Sequence, residues 1–518
     1  MISTDRRIFE AGSAVRARQI EYASLFDELH IVVFTKRNFQ FSIFNFQTPS
    51  KIQIAENCWV YPTNSQSRWS YIFDAIRIGR WIIDDSKFTF QDSVITVQDP
   101  FETAQVGLAL KRRFGLPLQV QIHTDFLSPY FARESFLNWL RVKMAIYAVR
   151  QADSIRVVSH RIKKSLDSRF MIHDSRIQSL PIFVDIEKIK NAPVLANLHK
   201  KYPQFDKIIL MVCRLNPEKN LPQAIRLFVS VSRKRSGLGM VIVGDGPEKR
   251  SLEGLIWKLG VDERIIFAGW QEGVSDFYRT ADLFLSTSFY EGFGLASFEA
   301  HASGCPVIST DVGIASEIIT AKTGSIIPFD ILSGRDEILG WLDRGRLVDA
   351  ETRLPKGFLE SKGEYLKQLK RGIEETLQSG QSLPVTDHFW QAVRYVISGG
   401  TAAATNLLGL YILADVIGLW YLTASSIATA IAVIVSFSLQ KFWTFDSRQA
   451  DWSTLKREAS LYLMIFSVNI LLNGGLMFLF VDIFQVWHLI AQVLANALVA
   501  VFSFFTYKFF VFKAGRTG

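Results

Sequence analysis

Residues 287–306 read Thr287-Ser-Phe-Tyr-Glu-Gly-Phe-Gly-Leu-Ala-Ser-Phe-Glu-Ala-His-Ala-Ser-Gly-Cys-Pro306. An apolar, strand-like run, Ala281–Ser286, stops just before them. A loop then carries Glu291, Gly292 and Gly294, and a helix-like segment starts near Leu295 and is cut by Gly304 and Pro306. Strand, glycine-bearing loop and helix N-terminus in that order point unpaired backbone N–H groups at one spot, an arrangement that suits a phosphate. Two acids eight positions apart, Glu291 on the loop and Glu299 on the helix, flank that spot. Carboxylates beside phosphates repel them unless hydroxyl groups occupy their oxygens. Sugar and ribose hydroxyls are the natural partners, so the stretch predicts a site for a nucleotide sugar. A solvated helix face is the plainer reading of two acids at this spacing; Gly292, Gly294 and the strand start at Cys305-Pro-Val-Ile-Ser309 weigh against it.

The same stretch resembles the Glu-x7-Glu signature of the family 4 glycosyltransferases, which have the GT-B fold. That resemblance implies two Rossmann-like α/β domains facing across a cleft. It also implies that Gly292, Phe293, Gly294 and Leu295 line the donor pocket, that Glu291 positions the sugar, and that Glu299 holds the ribose.

Up to about residue 390, strand-like apolar runs alternate with charged amphipathic segments, the pattern of α/β domains with mostly parallel sheets. Lys207–Cys213 predicts a buried strand that delivers Arg214 and Lys219 on a strand-to-helix loop, where two cations can clamp a diphosphate. A solvated basic loop is the alternative. In the family this Arg and Lys hold the donor diphosphate and stabilise the departing nucleotide. Met240–Val243 runs into the turn Gly244-Asp-Gly-Pro247, and Ile265–Gly269 into Trp270 and Gln271. The resemblance puts either of those two near the base; simple packing is the other reading.

In the first domain, Met1–Thr4 reads as a strand, followed by a loop over Asp5–Gly12 and a helix through Val15–Leu25. The family faces the donor diphosphate with glycine backbone at this place, and Gly12 is the one glycine present here. Leu118–Ile122 alternates like a strand and runs into His123, with Asp125 close behind. The family's His at such a strand end contacts the transferred sugar, so His123 is the candidate; a histidine satisfied by local backbone is the competing reading. The domains are expected at 1–190 and 207–378, joined by a polar linker over 186–206, with the amphipathic helices of 331–378 closing the second.

No Asp-x-Asp triplet occurs, so no metal is expected, and no cofactor besides the nucleoside-diphosphate sugar as donor. Cations and N–H dipoles would supply the electrostatics. Family 4 members retain the anomeric configuration, which implies attack from the face the diphosphate leaves, with a donor phosphate oxygen taking the acceptor proton. A net charge of +9 has no aromatic-interleaved basic module behind it, so nucleic acid is not an expected partner. Three cysteines, Cys58, Cys213 and Cys305, have no zinc spacing and read as reduced thiols. No apolar signal core opens the sequence, so nothing is expected to send the first part out of the cytoplasm.

After a short linker at Ser379–Phe389 the composition changes. Apolar stretches near 395–414, 420–440, 460–481 and 488–509 are each about the ~20 residues that span a bilayer. Arg394, Lys441, Arg448, Lys456, Arg457, Lys508, Lys513 and Arg516 all fall on one side of the implied topology. The hairpins Asp415–Leu419 and Asp482–Val486 carry no cation. Both termini and the α/β domains are therefore expected in the cytoplasm, beneath a multi-pass membrane domain over 388–518. A shift of 67 residues aligns Tyr395 with Tyr462, Asn406 with Asn473, Asp415 with Asp482, Trp420 with Trp487 and Lys441 with Lys508, without a gap. A two-helix unit has been duplicated in parallel orientation.

This last segment resembles the GtrA-like family of four-span proteins linked to moving polyprenyl-phosphate sugars. Asn406 and Asn473 then either line a head-group path or hold helices together. Lys441 and Lys508 either hold a lipid phosphate or anchor the helix ends at the interface. The sum is a membrane-bound retaining glycosyltransferase with a lipid-linked or cell-envelope glycan acceptor and a membrane domain through which it can self-associate. A lipid-linked-sugar transporter with a regulatory α/β part, and a GT-B-fold epimerase or phosphorylase, are the alternatives.

Overall fold

The computed structural model describes residues 1–37, 49–85, 92–170, 176–191, 193–194, 197–271, 273–344, 354–379, 388–444, 452–486, 488–507 and 511. Two compact units divide the chain, Met1–Leu383 and Pro384–Gly518.

The first unit contains two sheets. One holds eight described strands: β1 (Ile2–Ser3), β2 (Leu29–Val33), β3 (Ile52–Ala55), β4 (Cys58–Pro62), β5 (Ile95–Val97), β6 (Leu118–Ile122), β7 (Ser154–Val157) and β8 (Ile177–Ser179), in the order β3-β4-β2-β1-β5-β6-β7-β8. The other holds β9 (Lys207–Val212), β10 (Leu238–Val243), β11 (Ile265–Gly269), β12 (Leu283–Ser286), β13 (Val307–Ser309) and β14 (Gly324–Ile326), in the order β11-β10-β9-β12-β13-β14. All pairings are parallel except β3 with β4. The reason lies in the strands themselves. Ile208, Ile209, Leu210 and Met211 are buried in succession rather than alternately, as a strand covered by helices on both faces must be. The edge hairpin β3–β4 has no counterpart among the sequence expectations.

In such sheets the loops at the carboxyl ends of the strands form the ligand crevice. Those loops contain Gly12 after β1, His123 after β6, Arg214 and Lys219 after β9, Trp270 after β11 and Glu291 after β12. The first helix is Ala14–Ala23, capped by the Ser13 side chain on the Arg16 N–H at 3.2 Å. Within the expected linker 186–206 stand two short helices, Ile186–Asn191 and Leu198–Lys201.

One domain expectation needs correction. The helix Ile331–Arg344 does close the second sheet, packing on the helix Leu221–Ser232. The helix Lys362–Ser379 instead returns to the first sheet, lying on β6 and β7. Gln119 Nε2 donates to the Gly372 carbonyl at 3.2 Å, and Arg156 Nη2 donates to the Tyr365 hydroxyl at 2.8 Å. Its apolar face fits a groove on the first lobe, and an amphipathic pattern alone does not say which sheet receives it.

In the second unit the helices are His388–Tyr411, Tyr421–Leu439, Trp452–Phe478 and His488–Thr506, within which the four apolar stretches largely fall. Among the described residues, no helix is long and apolar enough to cross a membrane. The longest, Trp452–Phe478, spends its first turns on Lys456, Arg457 and Glu458. Residues 380–387 of the expected linker, and Arg448, Lys508, Lys513 and Arg516, lie outside the described residues.

The 67-residue repeat is carried into the backbone. The first helix of each hairpin ends in a π-helical turn, Ile412–Val416 and Leu479–Ile483. The Leu419 N–H bonds the Leu413 carbonyl at 2.9 Å, and the Val486 N–H bonds the Phe480 carbonyl at 2.8 Å. Gly418 (φ +81°) and its repeat mate Gln485 (φ +52°) both take the left-handed conformation that closes the hairpin. Tyr462 stacks on Tyr507 at 4.8 Å and donates to Ser436 Oγ at 2.9 Å.

Candidate active site

The two lobes of the first unit meet backbone to backbone. A Cβ placed on Gly292 would lie 1.8 Å from the His123 carbonyl oxygen, so only glycine lets the β12 loop sit on the end of β6. The Tyr290 hydroxyl donates to Glu134 Oε2 at 2.5 Å, and Tyr130 stacks on Phe289 at 4.7 Å. Arg161, opening the helix after β7, pairs with Asp311 after β13. The carboxyl ends of both sheets thus face one cleft.

Sequence dictates how the second lobe presents its charges. After β9 a 3₁₀ turn, Pro217–Lys219, ends at Asn220 in the left-handed conformation, and Pro222 then starts the helix Leu221–Ser232. This turn is tied to the β12 loop. Thr287 Oγ1 donates to the Lys219 and Asn220 carbonyls at 3.1 Å each, and the Phe289 N–H to the Glu218 carbonyl at 2.8 Å. Lys219 Nζ is thereby brought to 2.6 Å from Glu291 Oε1, with both side chains less than a fifth exposed. Ser288 Oγ donates to the same Glu291 oxygen at 2.8 Å. Arg214 is 68% exposed and reaches back to Glu218 Oε1 at 3.3 Å, leaving its remaining N–H groups to the cleft.

Gly294, at φ +91°, is the N-cap of the helix Leu295–Ala302, and no side chain caps that end. The first-turn N–H groups of Leu295, Ala296 and Ser297 are left to point outward, as an anion site requires. One turn further, Glu299 Oε2 accepts from the Tyr278 hydroxyl at 3.0 Å. Burial raises the Glu299 pKa, and the Tyr278 hydrogen bond counters the effect.

From the first lobe comes His123, whose Nε2 is 3.2 Å from Gln121 Oε1; that oxygen also accepts from Arg156 Nη1 at 3.2 Å. The low-dielectric surroundings lower the imidazole pKa, with the charges of Arg156 and Arg18 adding to the effect, although the residue keeps an exposed edge. His123 is therefore neutral at pH 7. Asp99, at the end of β5, accepts from the Phe101 N–H at 2.8 Å; burial pushes its carboxyl up to about 6.

The expected residues are distributed as follows. His123, Gly292, Glu291 and Lys219 form one contiguous group through the contacts above. Arg214 shares the Lys219 loop, and Gly294, Leu295 and Glu299 share one helix end. Phe293 is buried edge-on against Phe298, so it offers the cleft backbone and no ring. Trp270 stands 65% exposed after β11. Gly12, at φ +80°, has open space before it. Sequence reasoning missed Ser288, Tyr278 and Glu134. Ser288 lies three positions before Glu291 and was readable; Tyr278 and Glu134 meet their partners only once the chain has folded.

In the second unit, Lys441 is fully buried and paired with Glu458. That pairing departs from both expected roles, since an interface anchor or a phosphate ligand needs an accessible ammonium. Asn406 is half-buried. The side chain of Asn473, like Lys508, lies outside the described residues.

Residues 33–188 match the family model described as Glycosyltransferase Family 4, residues 197–332 that of Glycosyl transferases group 1, and residues 394–512 that of GtrA/DPMS, transmembrane domain. Among curated proteins, the chain is 26% identical over 284 residues to alpha-D-kanosaminyltransferase of Streptomyces kanamyceticus, covering 51% of this chain and 72% of the relative. It is 34% identical over 147 residues to the lipopolysaccharide core biosynthesis mannosyltransferase LpsB of Rhizobium meliloti strain 1021, covering 26% of this chain and 42% of that protein. The match thus spans less than half of the second relative's length. Among solved structures, sucrose-phosphate synthase from Thermosynechococcus elongatus superposes with a TM-score of 0.53 at 17% identity, over 73% of this chain and 94% of that one. The shared fold is the two-sheet GT-B architecture. By these matches residues 33–188 and 197–332 belong to the glycosyltransferase families their models describe, and residues 394–512 to the GtrA/DPMS transmembrane-domain family.

Proposed function

We propose that the chain is a membrane-bound, retaining, metal-independent glycosyltransferase that moves a sugar from a nucleoside diphosphate to a lipid-linked or cell-envelope glycan acceptor. One observation carries the reading: Arg214, Lys219, an uncapped helix N-terminus, Glu291 and Glu299 stand at the carboxyl ends of one sheet, opposite His123 at the end of the other. Two cations and backbone N–H dipoles suit a diphosphate and the charge that grows on it as the sugar leaves. Glu299, with one oxygen held by Tyr278, has the other for ribose hydroxyls. Glu291 suits the sugar hydroxyls, and neutral His123, whose Nε2–H is taken up by Gln121 Oε1, has its Nδ1 to accept a hydrogen bond from a sugar hydroxyl. Neither acid is set as a nucleophile; attack from the leaving-group side, with a donor phosphate oxygen taking the acceptor proton, keeps the configuration.

Lipopolysaccharide core assembly, named for the LpsB relative, is a reaction on a lipid-borne glycan. A unit of the GtrA/DPMS transmembrane family in the same polypeptide fits such an acceptor, recruiting or translocating polyprenyl-phosphate-linked sugar from the cytoplasmic side of the membrane. The test is a panel of nucleotide sugars against the purified full chain. The expected result is thermal stabilisation by one donor class, followed by nucleotide release that depends on an added lipid-linked acceptor, with the anomeric configuration kept. No stabilisation by any donor would remove the enzyme reading, and release without an acceptor requirement would point to an epimerase or hydrolase.

A further inference from the structure

The helix Phe136–Gln151 is apolar on more than its buried side. Asn138, Ala145, Ala148 and Val149 face the first lobe. On the opposite side Phe136 is 78% exposed, and Leu137, Trp139 and Leu140 are each more than 40% exposed. Phe136 and Trp139 stack on each other at 5.6 Å rather than on the protein. Contiguous exposed apolar patches on a folded domain mark interaction sites.

The charge around the patch is mostly basic: Glu102 is paired with Arg141 and exposed Glu134 stands at the cleft end, while Lys143, Arg150, Arg112 and Arg113 border the rest. The helix carries Arg141, Lys143 and Arg150 and no carboxylate. Lys143 Nζ lies 5.6 Å from the Trp139 ring centre. The neighbouring helix Glu102–Phe114 ends in exposed Arg112 and Arg113, and the Arg112 guanidinium lies over the Tyr147 ring and bonds its hydroxyl. Tryptophan and tyrosine among aliphatics, bordered by Lys and Arg, is the composition that settles in the headgroup layer of an anionic membrane.

We propose that this face of the first lobe lies on the surface of an anionic lipid bilayer. The inference rests on the membrane-bound reading above, which the GtrA/DPMS unit in the same chain supports, and is independent of donor and acceptor identity. The patch begins at the cleft rim: the preceding helix, Pro129–Glu134, carries the Tyr130 that stacks on Phe289 of the β12 loop. A lipid-borne acceptor then reaches the cleft by moving along the membrane plane.

The experiment uses the full chain in vesicles, with an environment-sensitive fluorophore on Phe136→Cys or, as a second site, Trp139→Cys. Trp257→Cys, at a position 77% exposed on the helix Lys249–Leu259 of the second lobe, is the control. The unmutated chain, whose three cysteines are buried or half-buried, sets the background. In bilayers containing phosphatidylglycerol, brominated lipid should quench the labels at 136 and 139 several-fold more than the label at 257. Pure phosphatidylcholine, or Lys143→Glu combined with Arg112→Glu, should remove most of that difference. Equal quenching at all three sites in a chain that stays membrane-integrated overturns the docking face alone. Protection that tracks protein concentration rather than lipid charge overturns it in favour of a second copy of the chain. A chain stripped from the vesicles by alkaline carbonate overturns the membrane reading itself.

Discussion

Lys219 Nζ sits 2.6 Å from Glu291 Oε1, so in the proposed site the cation assigned to the diphosphate is already paired with the acid assigned to the sugar. On that reading an arriving donor would share Lys219 with Glu291 while offering Glu291 hydroxyls in return. A nucleoside diphosphate without its sugar makes the first demand and not the second.

Glu291→Gln should therefore tighten binding of the free nucleoside diphosphate while lowering the rate of transfer. Lys219→Ala should weaken both donor and nucleotide by tenfold or more, from the ~1.5–3 kcal/mol of a hydrogen bond to a charged group. Calorimetry with the nucleotide identified in the donor panel separates the two variants. Equal weakening by both would mean that the pair is structural.

Gly292→Ala should destabilise the first unit and abolish transfer together, because the new methyl group would meet the His123 carbonyl at 1.8 Å. Backbone on both sides leaves no flexible side chain to yield. Overpacking of this kind costs ~1–3 kcal/mol or more. A lowered Tm with lost activity is the expected result; an unchanged Tm would show that the lobes do not close on each other at this point in solution.

Asp99→Asn should stabilise the protein at neutral pH. Burial raises the Asp99 carboxyl to about 6 from its ordinary 3.8, so the folded state holds a proton that the unfolded state has released. Its contribution is fully present below about pH 4 and is lost as pH rises through 6, up to ~3 kcal/mol. The amide carries no charge to bury, so the advantage of the variant should grow between pH 4 and 6 and disappear below 4. Denaturant melts across that range measure the difference. A constant offset would assign the effect to the hydrogen bond from the Phe101 N–H instead.

Gln485→Gly should stabilise the second hairpin of the duplicated unit. Gln485 holds φ +52° where its repeat mate is Gly418, and left-handed backbone costs a residue with a Cβ ~1–2 kcal/mol. Gly418→Gln should cost a similar amount. Thermal unfolding in detergent would show the opposite shifts, and shifts of one sign would break the equivalence of the two turns.

Much of this was legible because its causes are local. The β9 run of Ile208–Met211 cannot be anything but buried, and Gly292 and Gly294 announce a loop that approaches something closely. The 67-residue repeat was readable to the residue, but the π-helical turns that close each copy were not. What the sequence left unsaid was partnership. Nothing in residues 362–379 names the sheet that receives their helix, nothing near Tyr290 points to Glu134, and the edge hairpin β3–β4 depends on the β2 strand it extends. The Lys219–Glu291 pair joins residues 72 positions apart, and both were assigned to ligand before either was seen to hold the other.

The returning helix Lys362–Ser379 has a mechanical consequence. The polypeptide enters the second lobe through the segment after β8 and returns from it to β6 and β7, so both crossings between the lobes start or end on the first lobe. If the proposed donor site lies on the second lobe, a rocking of that lobe would leave the Lys362–Ser379 helix seated on β6 and β7, and donor exchange would not have to disturb the lobe that carries His123.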